Sequence, residues 1–231
     1  MIDWHSHILP GIDDGSKDVA ESVSMIQLLA AQGVDTVVAT PHFYANDGTV
    51  ATFLEKRDAA YHQLKAQLPA DAPRILLGAE VRYYPGISRM DELKALRLQD
   101  SQILLLEMPF TKWTEFTIRE LIELSGMYGF RIVLAHVERY LSLQTRACWD
   151  RLLQCDILFQ VNAGFVANFG TRRGVRTLLK NGNVHFLGSD CHNMRSRKPN
   201  LDGALAWIEK EFGTRYLRQM NELGNSLLDT K

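Results

Sequence analysis

The sequence predicts an α/β fold in which parallel strands close into a barrel. Seven short apolar runs alternate with longer amphipathic segments, which is the order of repeated β/α units. The runs are almost continuously apolar, as expected for strands that are covered on both faces. A potential metal ligand follows nearly every run, and in a barrel the carboxyl ends of all strands meet on one face. An open, doubly wound sheet would spread these side chains along a line, so their placement favours the barrel.

The first two β/α units follow from composition and periodicity. Met1–Trp4 predicts the first strand, and Val19–Gln32 predicts a helix because its apolar residues recur at helical spacing. Gly33 comes next, and glycine is common just after the end of a helix. Val34–Thr40 is short and rich in β-branched residues, as in a buried strand, and Thr52–Gln67 has its apolar residues on one side of a helix.

The remaining elements continue the alternation. Five more apolar runs predict strands: Arg74–Ala79, Gln102–Leu106, Arg131–Ala135, Ile157–Val161 and His185–Gly188. Helical segments fall between most of them: Glu115–Met127, Leu143–Leu153 and Thr171–Leu179. Two more helices, Leu201–Phe212 and Tyr216–Leu228, are predicted in the tail. No repeat or linker interrupts the chain, so we predict a single domain over 1–231 with C-terminal helices from about 201.

The composition argues against several classes of function. The 231 residues are 46% hydrophobic and carry a formal net charge of −1, so no global field favours nucleic acid or an anionic membrane. The longest apolar runs are far shorter than a membrane span, and we expect no membrane insertion. Three widely spaced cysteines and a start unlike a signal peptide predict free thiols and a cytoplasmic location. The oligomeric state stays open.

Nine side chains at the predicted strand ends, or in the loop after the first strand, are candidate metal ligands. They are His5, His7, Asp14, His42, Glu80, Glu107, His136, Asp190 and His192. Imidazole and carboxylate groups bind divalent zinc, manganese and iron. Nine candidates exceed the needs of one ion, and Glu80 is placed to bridge two. Sites with several metals activate water and neutralise phosphoryl oxygens, which indicates phosphoester hydrolysis.

Each candidate alone has a simpler explanation. A single histidine at a strand end is more often structural than a ligand, and a single carboxylate there often caps a helix. Five of the seven histidines lie at predicted strand ends, whereas His62 falls on an exposed helix face and His185 at the opposite end of its strand. The complete set therefore indicates a metal centre. Arg139, Arg195 and Arg197 follow the same strand ends and are candidates to bind phosphate, although Arg195 is equally well explained as a solvated side chain.

Eight short motifs resemble the PHP (polymerase and histidinol phosphatase) superfamily of metal-dependent phosphoesterases. They are Asp3–Pro10, Asp13–Gly15, Glu21–Ser22, Thr40–His42, Gly78–Glu80, His136–Tyr140, Gln160–Asn162 and Ser189–Asn193. They occur in order over nearly the whole chain. The Asp-Asp-Gly and His-Val-Glu-Arg-Tyr motifs are closest to one branch, the bacterial tyrosine-protein phosphatases of capsule and exopolysaccharide operons.

The resemblance implies a distorted seven-stranded (β/α) TIM-like barrel, the PHP fold, with three divalent metal ions. Manganese is the ion expected, with iron, zinc or magnesium as alternatives. By similarity the ligand sets are His5, His7, Glu80 and Asp190 for one ion, Glu80, Glu107 and His136 for a second, and Asp14, His42 and His192 for a third. The resemblance also implies that Arg139 and Arg197 bind the phosphate and stabilise the transition state. Asp190 and a metal-bound water are the two candidate donors of a proton to the leaving group.

The implied function is hydrolysis of phosphotyrosine on the tail of a tyrosine autokinase that controls polysaccharide export. Two alternatives are a phosphatase of a small metabolite such as histidinol phosphate, and a metal-stabilised binding module without turnover. A protein substrate is favoured if aromatic residues after the second, third and fourth strands line the cleft; the candidates are Phe43, Tyr44, Tyr83, Tyr84, Phe110 and Trp113.

The segment after the last predicted strand also fits a different phosphatase chemistry. Cys191 and Arg197 have the Cys-x5-Arg spacing of cysteine-dependent tyrosine phosphatases. That chemistry needs a flexible loop and a thiol of low pKa. Here the intervening residues are bulky and include no glycine, and Asp190 would disfavour the thiolate. We therefore expect Cys191 to be a bystander.

Overall fold

The computed structural model describes residues 1–99, 101–127 and 129–228. The predicted domain 1–231 also includes residues 100, 128 and 229–231, which lie outside the described residues. The described part of the chain contains nine strands: β1 Ile2–Ser6, β2 Thr36–Ala39, β3 His42–Phe43, β4 Arg74–Leu77, β5 Glu80–Arg82, β6 Ile103–Glu107, β7 Arg131–Leu134, β8 Ile157–Asn162 and β9 Phe186–Gly188. Every pairing between them is parallel.

The strands form a closed barrel. One sheet has the order β1-β2-β4 and the other β3-β5-β6-β7-β8-β9. β3 continues β2 after two residues, and β5 continues β4 in the same way, so the nine strands fill seven positions. The ring closes between its first and last strands, because the Asp190 N–H donates to the His5 carbonyl at 2.8 Å and the His7 N–H to the Cys191 carbonyl at 2.9 Å. The predicted seven-stranded barrel is confirmed.

Eight α-helices connect the strands or end the described chain. They are α1 Val19–Ala31, α2 Val50–Lys65, α3 Glu115–Gly126, α4 Arg146–Leu152, α5 Ala163–Ala167, α6 Arg172–Lys180, α7 Leu201–Phe212 and α8 Thr214–Leu228. Four of them begin after a residue whose side chain accepts a hydrogen bond from the first turn: Asp18, Thr49, Thr114 and Thr145. These oxygens satisfy N–H groups that have no partner within the helix, which sets where the helices start.

The predicted strands and helices are confirmed to within a few residues. Gly33 follows α1 with a φ of +81°, the left-handed conformation that glycine adopts at least cost. The sequence did not predict the short strands β3 and β5, helix α5, or the 3-10 helices Ile87–Arg89, Asp91–Leu96 and Val137–Tyr140. All of these elements have six residues or fewer, too short for a hydrophobic period to be recognised.

A compact apolar cluster fills the barrel toward the amino ends of the strands. Trp4 and Phe186 stack there with ring centroids 3.9 Å apart. Helix α8 packs against this cluster through Leu223 and Leu227. A Cβ at Gly224 would lie 2.8 Å from the Trp4 ring, so the helix backbone itself approaches the indole. None of the described helices combines the length and apolar character that crossing a bilayer requires.

Candidate metal centre

The nine predicted ligands lie together at the carboxyl end of the barrel. His5 is in β1, His42 and Glu80 begin the continuing strands β3 and β5, and Glu107 ends β6. The other five follow a strand end or lie in the loop after β1: His7, Asp14, His136, Asp190 and His192. All are buried or nearly so except Asp14, whose side chain is 64% exposed. The strands therefore bring residues separated by up to 187 positions into one cleft.

The first group of donors is formed by His5, His7 and Asp190. The Nε2 atoms of His5 and His7 are 3.1 Å apart, and they lie 3.1 and 3.3 Å from Glu80 Oε2. Asp190 Oδ1 is 3.8 Å from His5 Nε2 and 3.6 Å from His7 Nε2. Two donors that bind one zinc-like ion at about 2.1 Å are about 3.0 to 3.5 Å apart, so this spacing suits a shared cation.

A second group contains His7, Asp14, His42 and His192. Asp14 Oδ1 lies 3.4 Å from Nε2 of His42 and 3.4 Å from Nε2 of His192. These three residues are the set that the resemblance implied for one ion. His7 belongs to this group and to the first, so the two groups share an imidazole.

The third group contains His42, Glu80 and Glu107. His136 Nε2 lies 2.8 Å from Glu80 Oε1 and 3.4 Å from Glu107 Oε1, so His136 joins the same carboxylates. The implied set of Glu80, Glu107 and His136 is thus brought together, with the addition of His42. Glu80 takes part in contacts with all three groups through its two oxygens.

Two imidazole nitrogens provide a test of whether these residues suit a metal. His192 Nδ1 lies 3.0 Å from the Asp190 carbonyl, a distance at which an N–H donates, and this leaves a lone pair on Nε2. Among the described residues, that buried Nε2 has no hydrogen-bond partner. His42 Nδ1 is also buried without one, although Glu80 Oε2 is 3.0 Å away. The unpartnered lone pair of His192 beside the Asp14 carboxylate fits a divalent cation.

The charges of the cluster favour cations as well. Burial alone raises the pKa of the Glu80 carboxyl, but His5, His136 and His42 outweigh it and hold that pKa well below its usual range. Burial lowers the pKa of the His7 imidazole, yet hydrogen bonds to Asp13 and Glu80 raise it to about 10. The same competition raises the pKa of His136 to about 9. Glu80 is therefore ionised at neutral pH, and bound cations would displace protons from His7 and His136.

Asp13 is a functional residue that sequence reasoning missed. Its Oδ2 lies 2.8 Å from His7 Nδ1 and accepts the His42 N–H at 3.0 Å, while Oδ1 accepts the Gly15 N–H at 2.9 Å. A carboxylate on Nδ1 fixes the imidazole so that Nε2 faces the centre. The two carboxylates of the Asp-Asp-Gly motif therefore have different roles. Asp14 points into the cleft, and Asp13 orients His7. The sequence signal for Asp13 was its position next to Asp14. Two adjacent carboxylates do not show which one is a ligand candidate and which one orients a histidine.

Strand β8 contributes no ligand candidate, yet it positions three of them. Gln160 Oε1 accepts the His136 N–H at 2.6 Å and lies 3.3 Å from His5 Nδ1. Gln160 Nε2 donates to Asn162 Oδ1 at 2.9 Å, and Asn162 Nδ2 donates to Asp190 Oδ2 at 2.7 Å. Two amides in an otherwise apolar run were the sequence signal for this role.

His136 and Asp190 also have unusual backbones. Their φ angles are +35° and +51°, and they are the only non-glycine residues with positive φ in the described ranges. Such a conformation costs on the order of 1–3 kcal/mol and tends to persist at functional sites. The neighbouring hydrogen bonds from His136 N–H to Gln160 and from Asp190 N–H to the His5 carbonyl hold both turns.

The two predicted phosphate-binding arginines meet on one carboxylate. Arg139 Nη2 donates to Asp190 Oδ2 at 2.6 Å, and Arg197 Nη2 donates to Asp190 Oδ1 at 2.8 Å. Burial raises the pKa of the Asp190 carboxyl, but His5, His7 and Arg197 lower it below its usual range. Arg195 is exposed, and its backbone N–H donates to Asn193 Oδ1. A further guanidinium, Arg82, donates to Glu107 Oε2 at 2.7 Å and was not predicted.

The chain also resembles known proteins in sequence. Residues 1–226 match the family model described as capsular polysaccharide synthesis, CpsB/CapC. The chain belongs to this family. Two relatives of this CpsB/CapC chain are tyrosine-protein phosphatases. The first, YwqE of Bacillus subtilis strain 168, is 32% identical over 99% of this chain and 91% of YwqE. CpsB of Streptococcus pneumoniae is 31% identical over 95% of this chain and 94% of CpsB.

A solved structure matches this CpsB/CapC chain with a TM-score of 0.84 and 29% sequence identity, covering 100% of this chain and 95% of that one. It comes from work on YwqE and CpsB, which are described there as unique metal-dependent tyrosine phosphatases. The resemblance to bacterial tyrosine-protein phosphatases of capsule operons, inferred from the motifs, is confirmed.

Cysteine chemistry does not suit this CpsB/CapC site. Burial, and after it the neighbouring Asp3, raises the pKa of the Cys191 thiol well above its usual value. The side chain is fully buried, and the Arg197 guanidinium is paired with Asp190. A nucleophilic thiolate needs exposure and a lowered pKa, so Cys191 is a buried core residue.

The six aromatic residues that were candidates to line the cleft differ in burial and in their distance from the site. Tyr83 and Trp113 are buried core residues, so the expectation that they line the cleft is wrong for these two. Phe43 is buried as well, but it contributes to the wall of the cavity beside Asp14 and His42. Tyr84 is half-buried and its hydroxyl contacts the Met90 sulfur. Tyr44 and Phe110 do border the site. Tyr44 stacks on His42 with centroids 5.2 Å apart, and the Phe110 ring lies 5.6 Å from the His136 ring.

A cavity of about 260 Å³ opens beside the second group of donors. Asp14 and His42 form one wall, and Tyr44, Phe53 and Lys56 contribute to the others. The metal centre of this CpsB/CapC chain is thus reached through a cleft of mixed aromatic and polar character. Such a cleft suits a ligand that carries both a ring and a charged group.

Proposed function

We propose that this protein is a metal-dependent protein-tyrosine phosphatase that hydrolyses phosphotyrosine on a bacterial tyrosine autokinase, and so regulates capsule or exopolysaccharide synthesis. The observation that carries the proposal is the convergence of nine imidazole and carboxylate donors with two arginines at the open end of the barrel. Membership of the CpsB/CapC family and the tyrosine-protein phosphatase names of its relatives support it.

We further propose that the site binds three divalent ions. Manganese is the ion we expect, and iron, zinc and magnesium are alternatives. Their ligands would be His5, His7, Glu80 and Asp190 for the first, Glu80, Glu107 and His136 for the second, and Asp14, His42 and His192 for the third. The three overlapping groups of donors support this number. Imidazole with carboxylate and no thiolate is a donor set of intermediate hardness, which suits manganese.

When bound, the divalent ions would lower the pKa of water and neutralise charge on the phosphoryl group. The chain's own residues account for the remaining steps. Asp13 and Gln160 hold the imidazoles of His7 and His5 in place. Each guanidinium has five N–H donors, so Arg139 and Arg197 can hold Asp190 and a phosphoryl oxygen at the same time. They would stabilise the charge that develops on the equatorial oxygens.

Asp190 would act as a ligand and as the anchor of both arginines. Its neighbours hold the pKa of this carboxyl below the usual range, so it is ionised at neutral pH and has no proton to give to the leaving group. A tyrosyl group has a pKa of about 10 and leaves as a fairly stable phenolate, so little acid assistance is needed.

We also propose that 1–231 forms one phosphatase domain, since the family model extends over nearly all of it. A cytoplasmic location is proposed as well. Cys148, Cys155 and Cys191 are all free thiols, as is usual for proteins of a reducing compartment.

The test is hydrolysis of a phosphotyrosine peptide by metal-stripped protein before and after Mn²⁺ is added back. We expect activity that requires the metal, is lost in His136→Ala and persists in Cys191→Ser. Activity that resists chelation and disappears with Cys191→Ser would overturn the proposal. Turnover of histidinol phosphate without turnover of the peptide would replace the protein substrate by a small metabolite. Metal binding without turnover of either would leave a binding module.

A further inference from the structure

Phe110 is an exposed aromatic residue at the rim of the metal centre. It follows β6 by three residues, and 40% of it is exposed. Its ring centroid lies 5.6 Å from that of the buried ligand candidate His136. An exposed phenylalanine ring loses the free energy that burial of its apolar surface would provide. Its position beside the centre places this ring where a bound ligand could cover it.

The surroundings of Phe110 hold its ring in a defined position. The guanidinium carbons of Arg82 and Arg139 lie 5.4 and 5.6 Å from the ring centroid, within the range of cation–π contacts. Both arginines are themselves held by carboxylates of the centre, Arg82 by Glu107 at 2.7 Å and Arg139 by Asp190 at 2.6 Å. Tyr140 lies nearly parallel to the ring, with centroids 5.5 Å apart and an interplanar angle of 23°. The ring is therefore preorganised, although it is partly open to solvent.

We propose that Phe110 binds the aromatic ring of the substrate's tyrosyl group and so determines a preference for aryl over alkyl phosphomonoesters. This inference rests on the proposed phosphatase function and identifies the part of the site that selects the leaving group. The phenyl ring of an aryl phosphate begins one oxygen atom from phosphorus. A phosphoryl group held by Arg139 would therefore bring that ring next to the side chain that the same arginine contacts.

Binding of the phosphoryl group and binding of the aromatic ring are separate tasks in this proposal, and Arg139 performs the first and contacts the residue that performs the second. The guanidinium takes the phosphoryl group, which every phosphomonoester has, whereas Phe110 contacts the ring, which only an aryl ester has. Two aromatic rings in an offset or edge-to-face contact contribute more than the area that they bury. Removal of the Phe110 ring should weaken aryl ligands and leave the phosphoryl contacts intact.

The experiment compares two ligands that differ only in the ring, benzylphosphonate and methylphosphonate; in benzylphosphonate a CH2 group stands where an aryl phosphate has its bridging oxygen. Calorimetry on the Mn²⁺-loaded protein gives the dissociation constant of each for the wild type, Phe110→Ala, Phe110→Leu and Phe110→Trp. We expect the preference for benzylphosphonate to fall about three- to tenfold in Phe110→Ala, with methylphosphonate unchanged. Phe110→Trp should restore the preference, and Phe110→Leu should restore only part of it.

Phe116→Ala is the matched control, because Phe116 is a comparably exposed phenylalanine on α3. It should leave both constants unchanged. The inference is overturned if Phe110→Ala keeps the preference, or if it weakens both ligands equally. If either result is found while the wild type still hydrolyses the phosphotyrosine peptide, the proposed role of Phe110 is wrong and the proposed phosphatase function stands. If the wild type binds neither phosphonate and hydrolyses no peptide, the proposed function fails and this inference fails with it.

Discussion

The two ends of the barrel are built from opposite kinds of side chain, although the same strands supply both. In β1, Trp4 packs on Phe186 toward the amino end, and the next residue, His5, faces the metal centre. Helix α8 packs against the amino end, and its backbone at Gly224 comes so near the Trp4 ring that a Cβ there would lie 2.8 Å from it. The carboxyl end holds ionised carboxylates among imidazoles and is open to solvent at Asp14. Stability is concentrated at one end and chemistry at the other, as in other β/α barrels.

The comparison predicts that changes at the two ends have different consequences. A buried ligand that is removed at the carboxyl end should abolish activity, and the apolar end should stay intact. A change at the amino end should lower stability and leave the activity of the folded protein unchanged. The following predictions test this separation, from the largest expected effect to the smallest.

The largest effect is expected for Glu80→Gln. Glu80 contacts His5, His42 and His136, so its loss disturbs every group of donors. Changes beside the ligands cost about 10- to 100-fold, and removal of this shared carboxylate should cost more than about 100-fold in phosphatase activity. The melting temperature of wild-type protein should rise when Mn²⁺ is added, and that rise should be absent in Glu80→Gln. A normal rise in the variant would contradict the shared role of this carboxylate.

Asp13→Asn should reduce activity and Mn²⁺ affinity about 10- to 100-fold, because it loses the charge that orients His7. Titration of the metal-stripped protein with Mn²⁺ measures the affinity. Asp47→Asn is the matched control, since Asp47 is an exposed carboxylate on the wall of the neighbouring cavity. Equal losses in both variants would show that general negative charge, and not the contact with His7, is what matters.

At the amino end, Gly224→Ala should lower the free energy of unfolding by about 1–2 kcal/mol. The added methyl would lie 2.8 Å from the Trp4 ring, and such overpacking outweighs the gain in helix propensity. Urea denaturation measures the change, and the activity of folded protein should match the wild type. Gly126→Ala in α3 meets nothing within 4 Å and should be neutral or stabilising.

The smallest effect concerns pH at the amino end. His185 precedes β9, and its Nδ1 accepts the Phe159 N–H at 2.9 Å. Burial lowers the pKa of this imidazole below its usual value, so folding favours the neutral form. Its contribution to stability is present above the unfolded pKa, about 6.5, and is lost as the pH falls through the lower folded value. Metal-free wild type should therefore lose stability relative to His185→Asn below about pH 6.5; parallel pH profiles would contradict this.

Much of the fold and of the candidate site could be predicted because their signals are local. Apolar runs such as Ile132–Leu134 reveal buried strands by composition. Ligand types at the ends of those runs reveal the centre, because parallel strands of a barrel bring their carboxyl ends together. The division of β2 from β3 was not predictable in the same way. The run continues to Thr40, and the short strand that carries His42 beyond it has only two residues.

The sequence by itself determined which residue types stand at each strand end, and hence the barrel, the nine donors and the two arginines on their rim. Only the tertiary structure decided how neighbouring side chains divide their roles. Asp13 and Asp14 are equivalent as sequence, yet the turn before Gly15 directs one to His7 and leaves the other exposed in the cleft. Phe43 ends β3 and Phe110 lies three residues beyond β6, yet the first is buried and the second is exposed. Periodicity reports the local backbone, whereas the direction of a loop side chain depends on contacts between distant strands.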